Sequence, residues 1–159
     1  MVADERTFVD TNVLVYAHDR SETLKRPVAQ ALLEELWTSR TGALSTQILQ
    51  EFYVVATRKF DPPLSRRAAR EIVALYGSWP LVEIDLPLIL TASQLEEQHR
   101  LSFWDALVVE AARRSGATRL VTEDLPDGRR IGGVRIENPF RVASPPPDDT
   151  RPPLGRAPR

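Results

Sequence analysis

The chain contains no cysteine among its 159 residues. That excludes a disulfide framework and any thiolate metal site, and it agrees with a reducing compartment. Histidine is scarce as well. His18 and His99 are the only two, their spacing suits no zinc site, and both read as surface or packing residues. Long hydrophobic runs are also missing: nothing approaches the roughly 18 apolar residues of a membrane span. The first ten residues, MVADERTFVD, are charged and then strand-like, unlike a signal peptide. The expectation is a cytoplasmic protein with no membrane role. Net charge is nearly absent too, at a formal −1, so bulk electrostatics do not advertise nucleic-acid binding. Lysine occurs only as Lys25 and Lys59, the other basic residues being arginine. Coding-sequence bias accounts for that pattern at least as well as phosphate contacts do.

What is present divides into a body and a tail. The stretch ASPPPDDTRPPLGRAPR holds six of the thirteen prolines and one large apolar residue, Leu154. It has too little to bury, so a disordered Pro/Arg-rich tail is expected over 142–159. Residues 1–141 form one domain, long enough for a core of its own. Strands are expected at Thr7–Asp10, Gly42–Ser45, Leu81–Asp85, Arg119–Thr122 and Val134–Ile136. Helices are expected over 12–18, 25–39, 46–59, 65–77, 86–99 and 103–115, with Ser65, Gly77 and Gly116 as boundary signals. Strands alternating with helices define an α/β fold with a mostly parallel sheet. Ligands of such sheets bind at the strand carboxyl ends.

Four acids occupy positions that matter under that rule. Asp10 interrupts the apolar stretch FVDTNVLVYA, where it caps the next helix or serves a site. Glu51, in STQILQEFYVVATRKF, shares a helical face with Ile48, Val54 and Val55, as a solvated margin or a functional group. Asp105, in LSFWDALVVEAARRSG, completes a capping-box-like Ser102-x-x-Asp105 yet lies on the face of Val108, Val109 and Ala112. Asp124 follows the strand RLVT in LVTEDLPDG, where a turn acid is ordinary and Glu123 and Asp127 compete with it. Each has a plain explanation singly. A fold that brings them together makes one acidic pocket at the strand carboxyl edge, where some carboxylates stay protonated unless a cation neutralises them. Ligation by oxygen alone suits Mg²⁺, with Mn²⁺ as the alternative.

The ordered motifs DTNVLVYA, STQILQEFYVV, SFWDALVVEAA and LVTEDLPDG resemble the PIN domain. More narrowly, they resemble the toxin nucleases of bacterial VapBC toxin–antitoxin pairs, over about residues 6–141. The resemblance implies a three-layer α/β/α sandwich with a mostly parallel central sheet. It implies a metal-dependent ribonuclease whose metal ligands are Asp10, Glu51, Asp105 and Asp124. Asp10, Glu51 and Asp105 are taken as the core ligands, with Asp124 completing a second metal site or orienting the attacking water. Thr11, Asn12 and Thr122 map onto the polar support positions, and Ser45 is a further candidate. A homodimer and inhibition by a small VapB-like antitoxin are implied as partners, besides the RNA substrate.

Basic residues for the RNA backbone are Arg58, Lys59, Arg66, Arg67 and Arg70 around FDPPLS, and Arg113 with Arg114. The plain reading of each is a solvated helix residue. Trp104 and Tyr53 read as core packing, with base stacking as the alternative. Rival acid-pocket classes fit less well. A haloacid-dehalogenase-like phosphatase needs an aspartate where Asn12 stands, and a response-regulator receiver needs a late lysine that neither Lys25 nor Lys59 supplies. A PIN-like binding module without catalysis, or a PIN nuclease without an antitoxin, remains open on the residues alone.

Overall fold

The structure is a computed structural model and describes residues 5–143. All but the first two residues of the expected tail therefore lie outside the described residues. Six strands make one sheet: β1 Thr7–Val9, β2 Gly42–Ser45, β3 Leu81–Val82, β4 Arg119–Val121, β5 Arg130–Ile131 and β6 Val134–Glu137. Their spatial order is β3-β2-β1-β4-β6-β5, parallel throughout except for the β5–β6 pair. The helices are α1 Thr11–His18, α2 Lys25–Ser39, α3 Thr46–Arg58, α4 Arg66–Tyr76, α5 Leu86–His99 and α6 Phe103–Arg114. On one side α1 packs against α2 and α3, and α3 against α4. Helices α5 and α6 pair with each other, and α6 lies along β2, β4 and β6. This is the expected sandwich of a mostly parallel sheet between helices.

The core explains the apolar runs. Phe8, Val9, Ala43, Leu44, Leu120, Val121 and Ile136 on the strands are all buried, as strands covered on both faces require. Phe52, Ile48, Leu14, Val13 and Val109 meet them from the helices. Gly42 is fixed by packing, since a Cβ there would overlap the ring of the buried Trp79.

Element ends differ from expectation where a side chain leaves the ladder to cap a helix. The strand expected over Leu81–Asp85 stops at Val82, because Asp85 caps α5 by accepting from Leu88 N at 3.0 Å. The first strand stops at Val9 for the same reason, Asp10 being the N-cap of α1. Strand β5 was not expected. It spans two residues and returns to β6 through Gly132 and Gly133, both at positive φ, the backbone that a two-residue hairpin turn demands.

The order of the sheet positions the site. From β1 the chain moves outward through β2 and β3, then returns across to β4 on the other flank of β1. The crevice beyond the carboxyl ends of β1 and β4 is therefore the topological switch point.

Candidate active site

Asp10 and Asp124 reach this crevice from its two walls. Val9 and Val121 stand in register as the last residues of β1 and β4, so Asp10 and Thr122 are the next positions on each. Asp10 is 5% exposed. Its Oδ1 accepts from Thr11 N at 2.7 Å and its Oδ2 from Thr122 Oγ1 at 2.7 Å, with a longer 3.5 Å approach by Asn12 Nδ2. The cap role and the site role thus coexist: one oxygen serves the helix, the other faces β4. Asn12 Nδ2 also donates to Thr122 Oγ1 at 3.2 Å and to Asp124 Oδ2 at 3.1 Å. Thr122 Oγ1 in turn accepts from Asp124 N at 3.1 Å. The residues expected as polar supports thus tie Asp10 to Asp124.

Helix α3 brings Glu51. Ser45 caps it, accepting from Ile48 N at 3.4 Å, so that residue anchors the helix rather than supporting an acid. One turn later Glu51 Oε2 accepts from Thr11 Oγ1 at 2.6 Å, and its Oε1 from Gln47 Nε2 at 3.1 Å. Helix α6 brings Asp105. Ser102 accepts from Asp105 N at 3.1 Å, which makes Asp105 the N3 residue of a capped helix. Its carboxylate stands at the positive end of the α6 dipole. Gln47 Nε2 reaches the Trp104 carbonyl at 3.3 Å and so couples the starts of α3 and α6. Gln47 was not singled out from sequence. Its i,i+4 spacing to Glu51 was the available signal.

The four acids share one electrostatic field. Burial raises the Asp10 carboxyl to about 7, further raised by the charges of Asp124 and Glu51 and opposed by the Thr122 and Thr11 hydrogen bonds. Burial also pushes Asp105 up, and the same two charges, Asp124 and Glu51, add to it. A carboxyl half protonated near neutrality becomes a full anion when a cation arrives. The donors are all carboxylate or hydroxyl oxygens, the chemistry of a hard divalent ion. Among the described residues no three acidic or histidine side chains converge closely enough to enclose an ion as they stand. Glu51 and Asp124 are instead turned into their hydrogen bonds with Thr11 and Asn12. The residues fit a divalent metal in the kind of donor they offer.

The competing acids are otherwise engaged. Glu123 accepts from Lys25 Nζ at 2.8 Å and from the Tyr16 hydroxyl, and Lys25 also lies 4.8 Å over the Tyr16 ring. Nothing in the sequence linked Lys25 to Glu123 across that separation. Asp127 accepts from Asn138 N and Arg141, each at 2.8 Å, and closes its own loop. Basic candidates divide as well. Arg113 pairs with Glu110 at 3.0 Å and Arg114 with Asp85 at 2.6 Å, at the end of α6 away from Asp105. Arg67 pairs with Glu71 at 3.3 Å. Among the described residues Arg58, Lys59 and Arg66 have no carboxylate partner. Tyr53 lines an apolar groove with Leu49, Val54, Arg70 and Val73. Trp104 is not core: it is 65% exposed. A cavity of about 570 Å³ between α1, α2 and α4 is lined by His18, Arg26, Trp37 and Tyr76 and by none of the four acids.

A parallel sheet between helices, with carboxylates gathered at its switch point, defines the class: an α/β fold with an acidic crevice. The family follows from comparison. The PIN-domain model matches residues 7–125, and the chain belongs to the PIN-domain family. Its structure is similar to that of Mycobacterium tuberculosis VapC20, a sarcin–ricin-loop-cleaving toxin, with TM-score 0.56 and 21% identity over 72% of this chain and 86% of that one. It is also similar to a toxin–antitoxin complex from Klebsiella pneumoniae, with TM-score 0.63 and 19% identity over 84% of this chain and 98% of that one. DNA-bound VapBC from Salmonella typhimurium is a third, with TM-score 0.59 and 18% identity over 84% and 97%. Comparison with curated proteins gave no match. No described helix is long and apolar enough to cross a membrane.

Proposed function

We propose that the protein is a divalent-metal-dependent endoribonuclease and the toxin of a toxin–antitoxin pair. The observation that carries this reading is the buried Asp10 at the switch point of the sheet, tied through Thr122 and Asn12 to Asp124 and facing the charges of Asp124 and Glu51, as Asp105 does. PIN-family membership supports nuclease chemistry. The sarcin–ricin-loop-cleaving neighbour supports RNA as the substrate, and the VapBC complexes support a VapB-like antitoxin as partner.

Asp10, Glu51 and Asp105 would hold Mg²⁺ or Mn²⁺, with Asp124 completing the set. When bound, such an ion lowers the pKa of water and neutralises charge on the phosphate under attack. The chain's own groups do the rest. Thr122 and Thr11 N fix both oxygens of Asp10. Thr11 Oγ1 and Gln47 do the same for Glu51. Asn12 holds Asp124 beside Asp10. Arg70, which lines a groove with Thr46, Gln50 and Tyr53 on the first turns of α3, would supply positive charge for the RNA backbone.

A panel of transfer, ribosomal and messenger RNAs incubated with the purified protein tests this reading. Cleavage in Mg²⁺, its loss in EDTA, and products with 5′-phosphate and 3′-hydroxyl ends are the expected results. No cleavage of any RNA with either metal would reduce the protein to a binding module. Co-purification with a small protein encoded beside it separates a toxin from a PIN nuclease without an antitoxin.

A further inference from the structure

We propose that Trp104 determines substrate choice by stacking on one unpaired RNA base next to the scissile phosphate. The inference rests on the ribonuclease reading above and deepens it. The other two tryptophans, Trp37 and Trp79, pack on each other with ring centroids 5.0 Å apart. Trp104 instead leaves most of its indole in water, at 65% exposure. A side chain with so large an apolar face gains most from a partner that is itself flat.

Its backbone is held firmly beside the acids. Trp104 lies between the Ser102 cap and Asp105, and its carbonyl accepts from Gln47 Nε2 at 3.3 Å. The same nitrogen reaches Glu51 Oε1 at 3.1 Å. The Trp104 backbone is therefore one residue from Asp105 and one side chain, that of Gln47, from Glu51. The Phe103 ring lies edge-on to the indole, with centroids 5.7 Å apart.

The exposed apolar residues Leu86, Ile89 and Leu90 belong to another place. Arg114 pairs with Asp85 at 2.6 Å, which puts the last turn of α6 beside the first turn of α5, where those leucines and Ile89 begin. Trp104 is about 15 Å away along the α6 axis at 1.5 Å per residue. It stands with the carboxylates and apart from that patch.

A base inside a duplex has both faces covered, whereas loops and single strands present bases that aromatic side chains take up. The substrate class is thus RNA with an unpaired base flanking the cut, and the preference among bases is weak because every base has a stacking face.

The test is steady-state cleavage of an unpaired RNA that the wild type cuts, compared across Trp104→Phe and Trp104→Ala. Trp104→Ala should raise KM about tenfold with little change in kcat, and Trp104→Phe should keep most of the wild-type KM. Substrates carrying one abasic site at successive positions around the cut complete the cycle. At one position the wild type and Trp104→Ala should become equal, which identifies the stacked base. Equal KM for Trp104→Ala and wild type on the intact substrate overturns the stacking role while leaving the nuclease reading in place. So does a Trp104→Ala protein whose sedimented mass falls to half, since the indole then belongs to a contact between copies. If the wild type cleaves no RNA, the nuclease reading fails first and the stacking role goes with it.

Discussion

Asp10 carries opposed influences that only its neighbours reconcile. Thr122 and Thr11 N hold its oxygens at 2.7 Å, yet burial and two nearby carboxylates lift it to about 7. Replacing Thr122 by valine keeps the shape and removes the hydroxyl that bridges Asp10, Asn12 and Asp124 N. Divalent-ion affinity should fall about 10- to 100-fold, as for other groups that orient metal ligands, measured by calorimetric titration. His18 gives a pH prediction of its own. Burial, aided by the Arg26 charge, lowers its pKa from the usual 6.5. The unfolded chain then takes up a proton near 6.5 that the folded chain resists. The stability due to neutral His18 is complete above that pH and is lost as pH falls below it. Urea midpoints should therefore drop more steeply between about pH 7 and 5 in wild type than in His18→Gln; parallel slopes would contradict this. At this scale much was legible. Asp10, Thr11, Asn12 and Thr122 stand in two short motifs, DTN and LVTED, and their hydrogen bonds join those motifs. Gln47 and the Lys25–Glu123–Tyr16 group were not legible, because a side chain's partner across the fold leaves no local pattern.

Helices α1, α3 and α6 each begin on a side-chain cap and each delivers an acid at its cap or within two turns. Capping and site building are the same event here, which is why Asp10 and Asp105 read equally well as caps. Ser102→Ala removes the acceptor for Asp105 N and should cost about 1 kcal/mol in denaturant unfolding. It should also weaken metal binding, since Asp105 sits in the released turn; a stability loss with unchanged metal affinity would separate the two roles. Strand β2 makes a packing prediction. A Cβ at Gly42 would overlap the Trp79 ring, so Gly42→Ala should destabilise by about 1–3 kcal/mol, read as a lower urea midpoint at constant slope. Helix bounds were visible in the sequence to within a residue, but the caps Ser45 and Asp85 were read as strand residues. Strand β5 was not, because two residues carry no period.

Over the whole molecule, the order β3-β2-β1-β4-β6-β5 is what brings acids from positions 10, 51, 105 and 124 to one crevice. The alternation of strands and helices announced a parallel sheet, and the switch-point rule then named the edge where a ligand belongs. It did not announce how the side chains share that edge. Glu51 and Asp124 spend their oxygens on Thr11 and Asn12, and Trp104, expected in the core, faces water. Exposure of that kind depends on where the start of α6 falls against the sheet, which no periodicity records. The central claim is that this crevice holds a divalent metal through Asp10. Calorimetric titration of Mn²⁺ into the wild type and Asp10→Asn measures it directly. Saturable binding by the wild type, and loss of about 100-fold or more in affinity for Asp10→Asn, is the predicted result; equal affinity in both proteins, or no binding by either, contradicts it.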